Sequence, residues 1–447
     1  MIKTAPGVWP VLGHTPRLIR DPLAFVASLP AHGDLVEIRI ATQKVIVVCD
    51  PELTRQLLTS DRVFDKGGDM FDRLREVTGN GLGGCPHSDH RRQRRAVQPA
   101  FHVTRIPVYA AAMTRQSSQL TDSWHDGQRI NVLQEMLNLT GRITISTLFS
   151  DAISASQLTT ALADVRTVMA GIFWRMIMPN LLNAVPTPRK IRYDRARARL
   201  RRLTRQAIAE RRASTARYDD LISMVIYSQP TDSTQLSDAE IEDQVMTFFL
   251  GGVETTANSL AWTFHLLARH PDVLHRLHTE VDSVLAGRAA TIDDLPNLPF
   301  TGRIVTESLR LYPPGWFLSR TATTDTQLGG ARIPAGTIMA YSPYLVHRKP
   351  EDFTDPDRFD PDRWDDHTSA LASRSLLIPF SAGPRKCIGD TYAMTEACIA
   401  LATISSRITL EPLTARPVRA AVDPQLHPRK LALRVATRHH RSGPPPE

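Results

Sequence analysis

Cysteine is scarce in this chain: 447 residues hold four, Cys49, Cys85, Cys387 and Cys398, at scattered spacings. That excludes a disulfide framework, and none of the spacings is that of a zinc motif. A reducing cytoplasm is the expected setting. Long apolar runs are also missing. No stretch approaches the roughly 20 apolar residues that span a bilayer, and the N-terminal MIKTAPGVWPVLGHTPRLIRDP lacks the pattern of a signal peptide, so a soluble protein is expected. No internal repeat or low-complexity block interrupts the chain. What it does have is apolar content: 42% hydrophobic residues, enough at this length to bury a large core.

The net charge is +8, with a pI near 9.5. Much of the excess sits in RKIRYDRARARLRRLTRQAIAERR, Arg189 to Arg212, whose evenly spaced cations read as a helix with a solvated face. The functional alternative is a basic surface for an acidic protein, a membrane or nucleic acid. No helix-turn-helix or zinc module accompanies it, so nucleic acid is not expected as a partner.

Residues 34–50, DLVEIRIATQKVIVVCD, alternate at Val36, Ile38 and Ile40 and then run apolar from Val45 to Val48, the pattern of a hairpin. A second strand pair is expected around Arg332 to Tyr341, turned by Pro334, Ala335 and Gly336. The other long segments have helical periodicity, so the expected class is mainly α with small β-sheets. Two stretches read as irregular: the glycine-rich Asp65 to Pro86, and Pro179 to Pro188. The tail HHRSGPPPE reads as disordered. Ser237 and Glu240 form a capping box, opening a helix that can run from Asp238 until Pro271 stops it near His270.

The most specific element is FSAGPRKCIG, Phe380 to Gly389. An isolated cysteine is usually an inert buried thiol. Here Gly383 permits close approach of the backbone to a flat ligand, and Arg385 and Lys386 would favour the thiolate, the form that binds metal. The pattern Phe-x-x-Gly-x-Arg-x-Cys-x-Gly resembles the heme-binding signature of the cytochrome P-450 superfamily at every fixed position. The resemblance implies one heme-thiolate domain over residues 1–447, with heme b as cofactor and Cys387 as axial ligand of its iron. Phe380, Gly383, Arg385 and Gly389 then belong to the cofactor loop.

Other motifs extend the likeness. GGVETT, Gly251 to Thr256, places two glycines inside a helix at a cost of about 2 kcal/mol. Tight helix packing is the ordinary account; the resemblance makes it a groove for dioxygen at Gly251, with Thr255 as the hydroxyl there and Glu254 as the acid beside it. Glu307 and Arg310, three apart, would pair on any helix. Followed by Pro313-Pro314 and Pro361-Asp362-Arg363-Trp364, they are similar to the structural triad Glu307, Arg310 and Arg363 that locks the cysteine loop. His90, Arg94, Arg320 and Arg385, each an ordinary surface cation alone, match the positions that neutralise the heme propionates. The Met- and aromatic-rich segment Val168 to Leu182 reads equally as helix core or as pocket roof. Phe248 and Trp316-Phe317-Leu318 are implied as substrate wall, uncharged and suited to an apolar guest.

The implied activity is monooxygenation of a small apolar substrate with O2, by a monomer that draws electrons from a separate ferredoxin and ferredoxin reductase. Arg91, Arg92, Arg95 and Lys386 could face that ferredoxin. RDPLAFVASL, HRRQRRAVQPAF and IPAGTIMAYSPY are similar to stretches of actinobacterial sesquiterpene oxidases, which implies terpene oxidation in secondary metabolism such as antibiotic biosynthesis. A tailoring oxidase of macrocyclic polyketides, a peroxygenase and a heme sensor stay open.

Overall fold

The computed structural model describes residues 2–150, 154–177, 185–214, 218–227, 236–365, 375–416, 418–422 and 425–438. The C-terminal tail from residue 439 and most of Pro179 to Pro188 lie outside them. The helices, in chain order, are α1 Thr15–Arg20, α2 Pro22–Ala27, α3 Pro51–Thr59, α4 Asp69–Thr78, α5 His87–Val97, α6 Ile106–Asp122, α7 Val132–Phe149, α8 Ala155–Ile177, α9 Pro188–Ala213, α10 Leu221–Tyr227, α11 Asp238–Leu267, α12 Pro271–Leu285, α13 Pro299–Leu311, α14 Pro343–Val346 and α15 Asp390–Arg407. The strands are short: β1 Lys3–Thr4, β2 Leu35–Ile40, β3 Gln43–Val48, β4 Phe64–Asp65, β5 Arg129–Asn131, β6 Leu318–Ala322, β7 Thr326–Leu328, β8 Ala331–Ile333, β9 Ile338–Tyr341, β10 Ile408–Pro412, β11 Ala420–Val422, β12 Leu426–Pro428 and β13 Ala432–Thr437. The class is mainly α with small sheets.

α11 is the axis. Ser237 and Glu240 close the expected capping box at its start, and most of its length is buried against α7, α9, α13 and α15. Its two glycines stand in different surroundings. A Cβ on Gly252 would meet Thr144 Oγ1 of α7 at 3.0 Å, so that glycine serves packing; a Cβ on Gly251 would meet nothing within 4 Å. Thr140 of α7 donates to the Val253 carbonyl at 2.8 Å and holds the two helices in this register.

β2 and β3 form the expected hairpin within a six-stranded sheet of order β1-β2-β3-β9-β6-β4. The second strand pair needs correction. β8 and β9 do flank the Pro334–Gly336 turn, but β8 pairs with β7, while β9 lies parallel to β3 and antiparallel to β6. Met339, Ala340 and Tyr341 are all buried. So apolar a strand belongs in the middle of a sheet, with neighbours on both edges, rather than in an isolated hairpin.

Asp65 to Pro86 is likewise more regular than its glycines suggest. Gly68 and Gly79 stand at the two caps of the ten-residue α4, with Asp69 and Asp72 in its first turn and Arg75 in its last, charges that suit the helix dipole. The basic helix α9 is not simply a solvated face. Arg199 pairs with Asp164 of α8, and Arg201 and Arg205 with Glu242 of α11. Arg211 pairs with the buried Asp220, and Arg212 with Asp238. Its cations strap neighbouring elements together.

Candidate active site

One cavity of about 430 Å³ opens between α11, the cysteine loop and the edge of the large sheet. Cys387 lines it, and the three other cysteines do not; all three are buried elsewhere. The loop is built from the backbone outward. The Cys387 amide donates to the Phe380 carbonyl at 2.9 Å, and Arg94 of α5 donates to the Lys386 carbonyl at 2.5 Å. Gly383 sits at φ 69°, where a Cβ would lie 2.3 Å from the Leu58 carbonyl oxygen. Its close approach is therefore to the end of α3, and it does not line the cavity as the flat-ligand argument expected. Phe380, Arg385 and Gly389 do.

The electrostatics of Cys387 also differ from expectation. Burial pushes its thiol up; a hydrogen bond from the Gly389 amide pulls the other way, Asp390 adds to the rise, and Lys66 and Arg94 oppose it. The flanking cations are committed elsewhere. Lys386 pairs with Asp390 at 2.6 Å, and Arg385 bonds Asp65 at 3.0 Å and the Cys85 carbonyl.

His90, Arg94, Arg320 and Arg385, scattered over nearly 300 residues of sequence, all line this cavity. A fifth basic residue joins them: Lys66, half-buried, its ammonium donating to the Gly83 carbonyl at 2.7 Å. Pairing of β4 with β6 brings it beside Arg320, a long-range contact with no local signal. Burial, then Arg385 and Arg320, push Lys66 down to about 7. Burial, then Arg385, Lys66 and Arg94, push His90 down to about 3, so its imidazole offers an N–H rather than a positive charge. Arg320 Nε and Arg385 Nε and Nη1 are buried without a hydrogen-bond partner among the described residues. Buried guanidinium donors left unpaired are costly. The cluster is built for an anion with several acceptor oxygens.

On α11, Gly251 and Thr255 line the cavity, and the Thr255 hydroxyl donates to the Gly251 carbonyl at 2.6 Å. Glu254 does not line it; its charge is felt by Arg166 of α8. Phe248 and Leu318 form wall, with Phe71, Leu82 and Pro314. Trp316 and Phe317 do not. Their rings lie 5.4 Å apart in a second apolar cluster with Phe25 and Val36; both precede β6, whose alternation turns Leu318 and Arg320 toward the cavity. Of Val168 to Leu182, Val168 and Ile172 are buried in the main core, no described residue lines the cavity, and residues 178–182 lie outside the described set.

The triad is present. Glu307 and Arg310 are fully buried and bonded through both carboxylate oxygens at 2.8 Å, with Arg363 Nε 3.5 Å from Glu307.

Residues 4–431 match the family model described as Cytochrome P450. The chain belongs to the cytochrome P450 family. It is 46% identical over 412 residues to the cyclooctat-9-en-7-ol 5-monooxygenase of Streptomyces melanosporofaciens, covering 92% of this chain and 90% of that one. It is 45% identical over 439 residues to the pentalenene oxygenase of Streptomyces avermitilis, covering 97% of each. Among solved structures, the heme domain of cytochrome P450DA superposes with a TM-score of 0.87 at 28% identity, covering 98% of both chains. The protein is thus a P450 oxidoreductase whose cofactor is heme b with cysteine-thiolate ligation, and the cavity fits that group. It offers a single cysteine together with buried, unpaired cationic donors for two propionates. No described helix is long and apolar enough to cross a membrane.

Proposed function

We propose that this P450 hydroxylates an apolar terpene, of sesquiterpene to diterpene size, using electrons from a separate ferredoxin and its reductase. The observation that carries the reading is the composition of one cavity. Cys387 and the cationic cluster line it together with Gly251 and Thr255, while Phe71, Leu82, Phe248, Pro314 and Leu318 give a guest apolar wall; the one further charged residue on the described lining, Lys386 of the cysteine loop, is paired with Asp390. The relatives named for cyclooctat-9-en-7-ol and pentalenene support a terpene as the substrate class.

Heme b, when bound, supplies activation of O2 and transfer of one oxygen atom to a C–H bond. The chain's residues do the rest. Cys387 would supply the thiolate that ligates the iron. Arg94, Arg320, Arg385 and Lys66, with the N–H of His90, would hold the propionates. Gly251 keeps space free by lacking a side chain. The Thr255 hydroxyl, anchored on the Gly251 carbonyl, can turn its proton toward that space, and Glu254 beside it can replenish the proton by rotating inward. The apolar wall holds the guest by shape and excludes water.

The test is spectroscopic. The reduced carbon monoxide complex should show the red-shifted thiolate Soret band; Cys387→His should abolish it, and Cys398→Ala should not. A panel of terpenes and macrolide aglycones should give a substrate-type spectral shift with the terpenes. A shift with the polyketides alone would overturn the substrate class.

A further inference from the structure

The large hydrophobic side chains exposed on this protein are not evenly spread. Val8, Trp9, Val11, Leu12 and Ile19 fall within twelve residues, and Val11, at 77% exposure, is the most exposed of all those described. Scattered apolar residues on a surface need no account, but a contiguous group does.

The group is held outward by a rigid base. Trp9 and Gly13 exchange both backbone hydrogen bonds at 2.9 Å, closing the turn, and the His14 amide donates to the Arg39 carbonyl at 2.6 Å. The His14 ring, fully buried, bridges the Ala5 carbonyl at 3.0 Å and the Arg39 amide at 2.9 Å. A Cβ on Gly13 would lie 2.4 Å from the Arg39 carbonyl oxygen, so the turn is pressed directly onto β2. Val11 itself sits at φ 62°, a left-handed conformation that is unfavourable for a β-branched residue. A turn that only linked β1 to α1 would use glycine or asparagine there. This one keeps an exposed valine in strain between an exposed tryptophan and an exposed leucine.

The charge around the tip has one sign. Residues 1–20 hold Lys3, Arg17 and Arg20 and no carboxylate. Lys44 on β3 is exposed as well and lies 3.9 Å from Glu37. The carboxylates that follow in the chain and on β2 are engaged: Asp21 caps α2, and Glu37 pairs with Arg39 at 3.2 Å. A tryptophan-tipped apolar turn rimmed by cations is the composition of an interfacial anchor on anionic lipid. We propose that residues 8–12 together with Ile19 dock this protein peripherally on the surface of an anionic phospholipid bilayer. No helix need cross it. A protein that oxidises apolar molecules gains access in this way to guests dissolved in the bilayer, although the docking itself does not rest on the substrate assignment.

The test uses the full heme-loaded chain and reads binding without turnover. Co-sedimentation is measured with vesicles of phosphatidylcholine alone and with vesicles containing half phosphatidylglycerol, at low and high salt. The parent should sediment with the anionic vesicles, roughly tenfold more than with neutral ones, and salt should release it. Trp9→Ser combined with Leu12→Ser should lower binding about tenfold, and Lys3→Glu with Arg20→Glu should abolish the preference for anionic lipid. Both variants should keep the carbon monoxide spectrum and thermal midpoint of the parent. Absence of the parent from both pellets, or undiminished binding by the Trp9/Leu12 variant, overturns the proposal. So does a parent that elutes as a dimer which the same variant converts to monomer, for then the patch faces a second copy.

Discussion

Two regions flank the cavity, each held together by arginine and glutamate, and they are built to opposite ends. Behind the cysteine loop, Glu307 and Arg310 are fully buried and bond mostly to backbone. Arg310 donates to the carbonyls of His347, Pro356 and Arg358, and Glu307 accepts from the Asp360 amide and from Trp364 Nε1. Over α4, at the other side of the cavity, Glu76 pairs with Arg73 at 2.5 Å and with Arg175 of α8 at 2.9 Å, all three partly exposed. Arg197 and Arg201 of α9 reach the carbonyls of Glu76 and Val77. Buried pairs on backbone acceptors make a frame that yields only by unfolding. Side-chain pairs in reach of water make a latch that can open and reclose, because water replaces each lost bond.

The largest effect expected from breaking this contrast is on the frame side. Glu307→Gln keeps the shape and removes the charge, leaving Arg310 buried without its counterion. Such a loss costs about 3–5 kcal/mol. The variant should unfold at much lower denaturant and purify largely without heme. Near-parental stability would mean that the three backbone carbonyls alone hold Arg310.

A second effect on the same side is set by pH. His347, buried, is held by the Arg310 carbonyl at 3.0 Å and the Ile378 amide at 2.9 Å, just before the cysteine loop. Burial pushes it down to about 3. Between its ordinary value near 6.5 and about 3 the unfolded chain therefore takes a proton that the folded one refuses. The stability contributed by the neutral ring is full above 6.5 and is lost as pH falls through that window, by about 1.4 kcal/mol per unit for one group. His265 and His278, pushed down to about 4 by burial, act in the same sense. His347→Gln should start less stable at pH 7 and lose less between pH 6 and 4, measured by thermal midpoint. Parallel pH curves would remove His347 from the account.

The two regions also differed in how far they could be read from sequence. The frame was legible because its signals are local: a Glu and an Arg one helical turn apart, prolines that end the helix, a cysteine between glycines. The capping box of α11 was legible for the same reason. The mouth was not. Glu76 lies in a stretch whose glycines suggested irregular chain, and nothing near it in sequence names Arg175 or Arg197 as partners. Lys66 escaped because only the β4–β6 pairing brings an ordinary lysine to the cavity wall. Phe317 misses the wall because aromatic character says nothing about which apolar cluster a side chain joins, and here it packs with Trp316 in the second one.

On the latch side the effect should be kinetic. Glu76→Gln removes the carboxylate shared by Arg73 and Arg175 at a cost of about 1 kcal/mol or less, so the thermal midpoint should hardly move. Substrate binding, followed by its spectral shift in stopped flow, should become about fivefold faster at low salt and lose its dependence on salt. A variant that is strongly destabilised, or binds at the parental rate, would make Glu76 part of the frame.

The smallest effect tests the outer surface where frame and solvent meet. Arg94 ties α5 to the cysteine loop, so Arg91 and Arg95, both exposed, present their charge beside that loop. Arg92 is turned back to Glu240 and drops out of the docking set. An acidic ferredoxin steered to this patch should reduce the protein more slowly as ionic strength rises. Arg95→Glu should raise the apparent KM for ferredoxin several-fold and leave substrate binding spectra unchanged. The rival surface is α9, where Arg199 is already paired with Asp164 but Arg192, Arg195 and Arg202 are exposed. Charge reversal at Arg202 probes that face without cutting any strap that holds α9 to its neighbours. If Arg202→Glu slows electron transfer and Arg95→Glu does not, the ferredoxin docks over the latch and not over the frame, and its arrival would then bear on the Glu76 pairs.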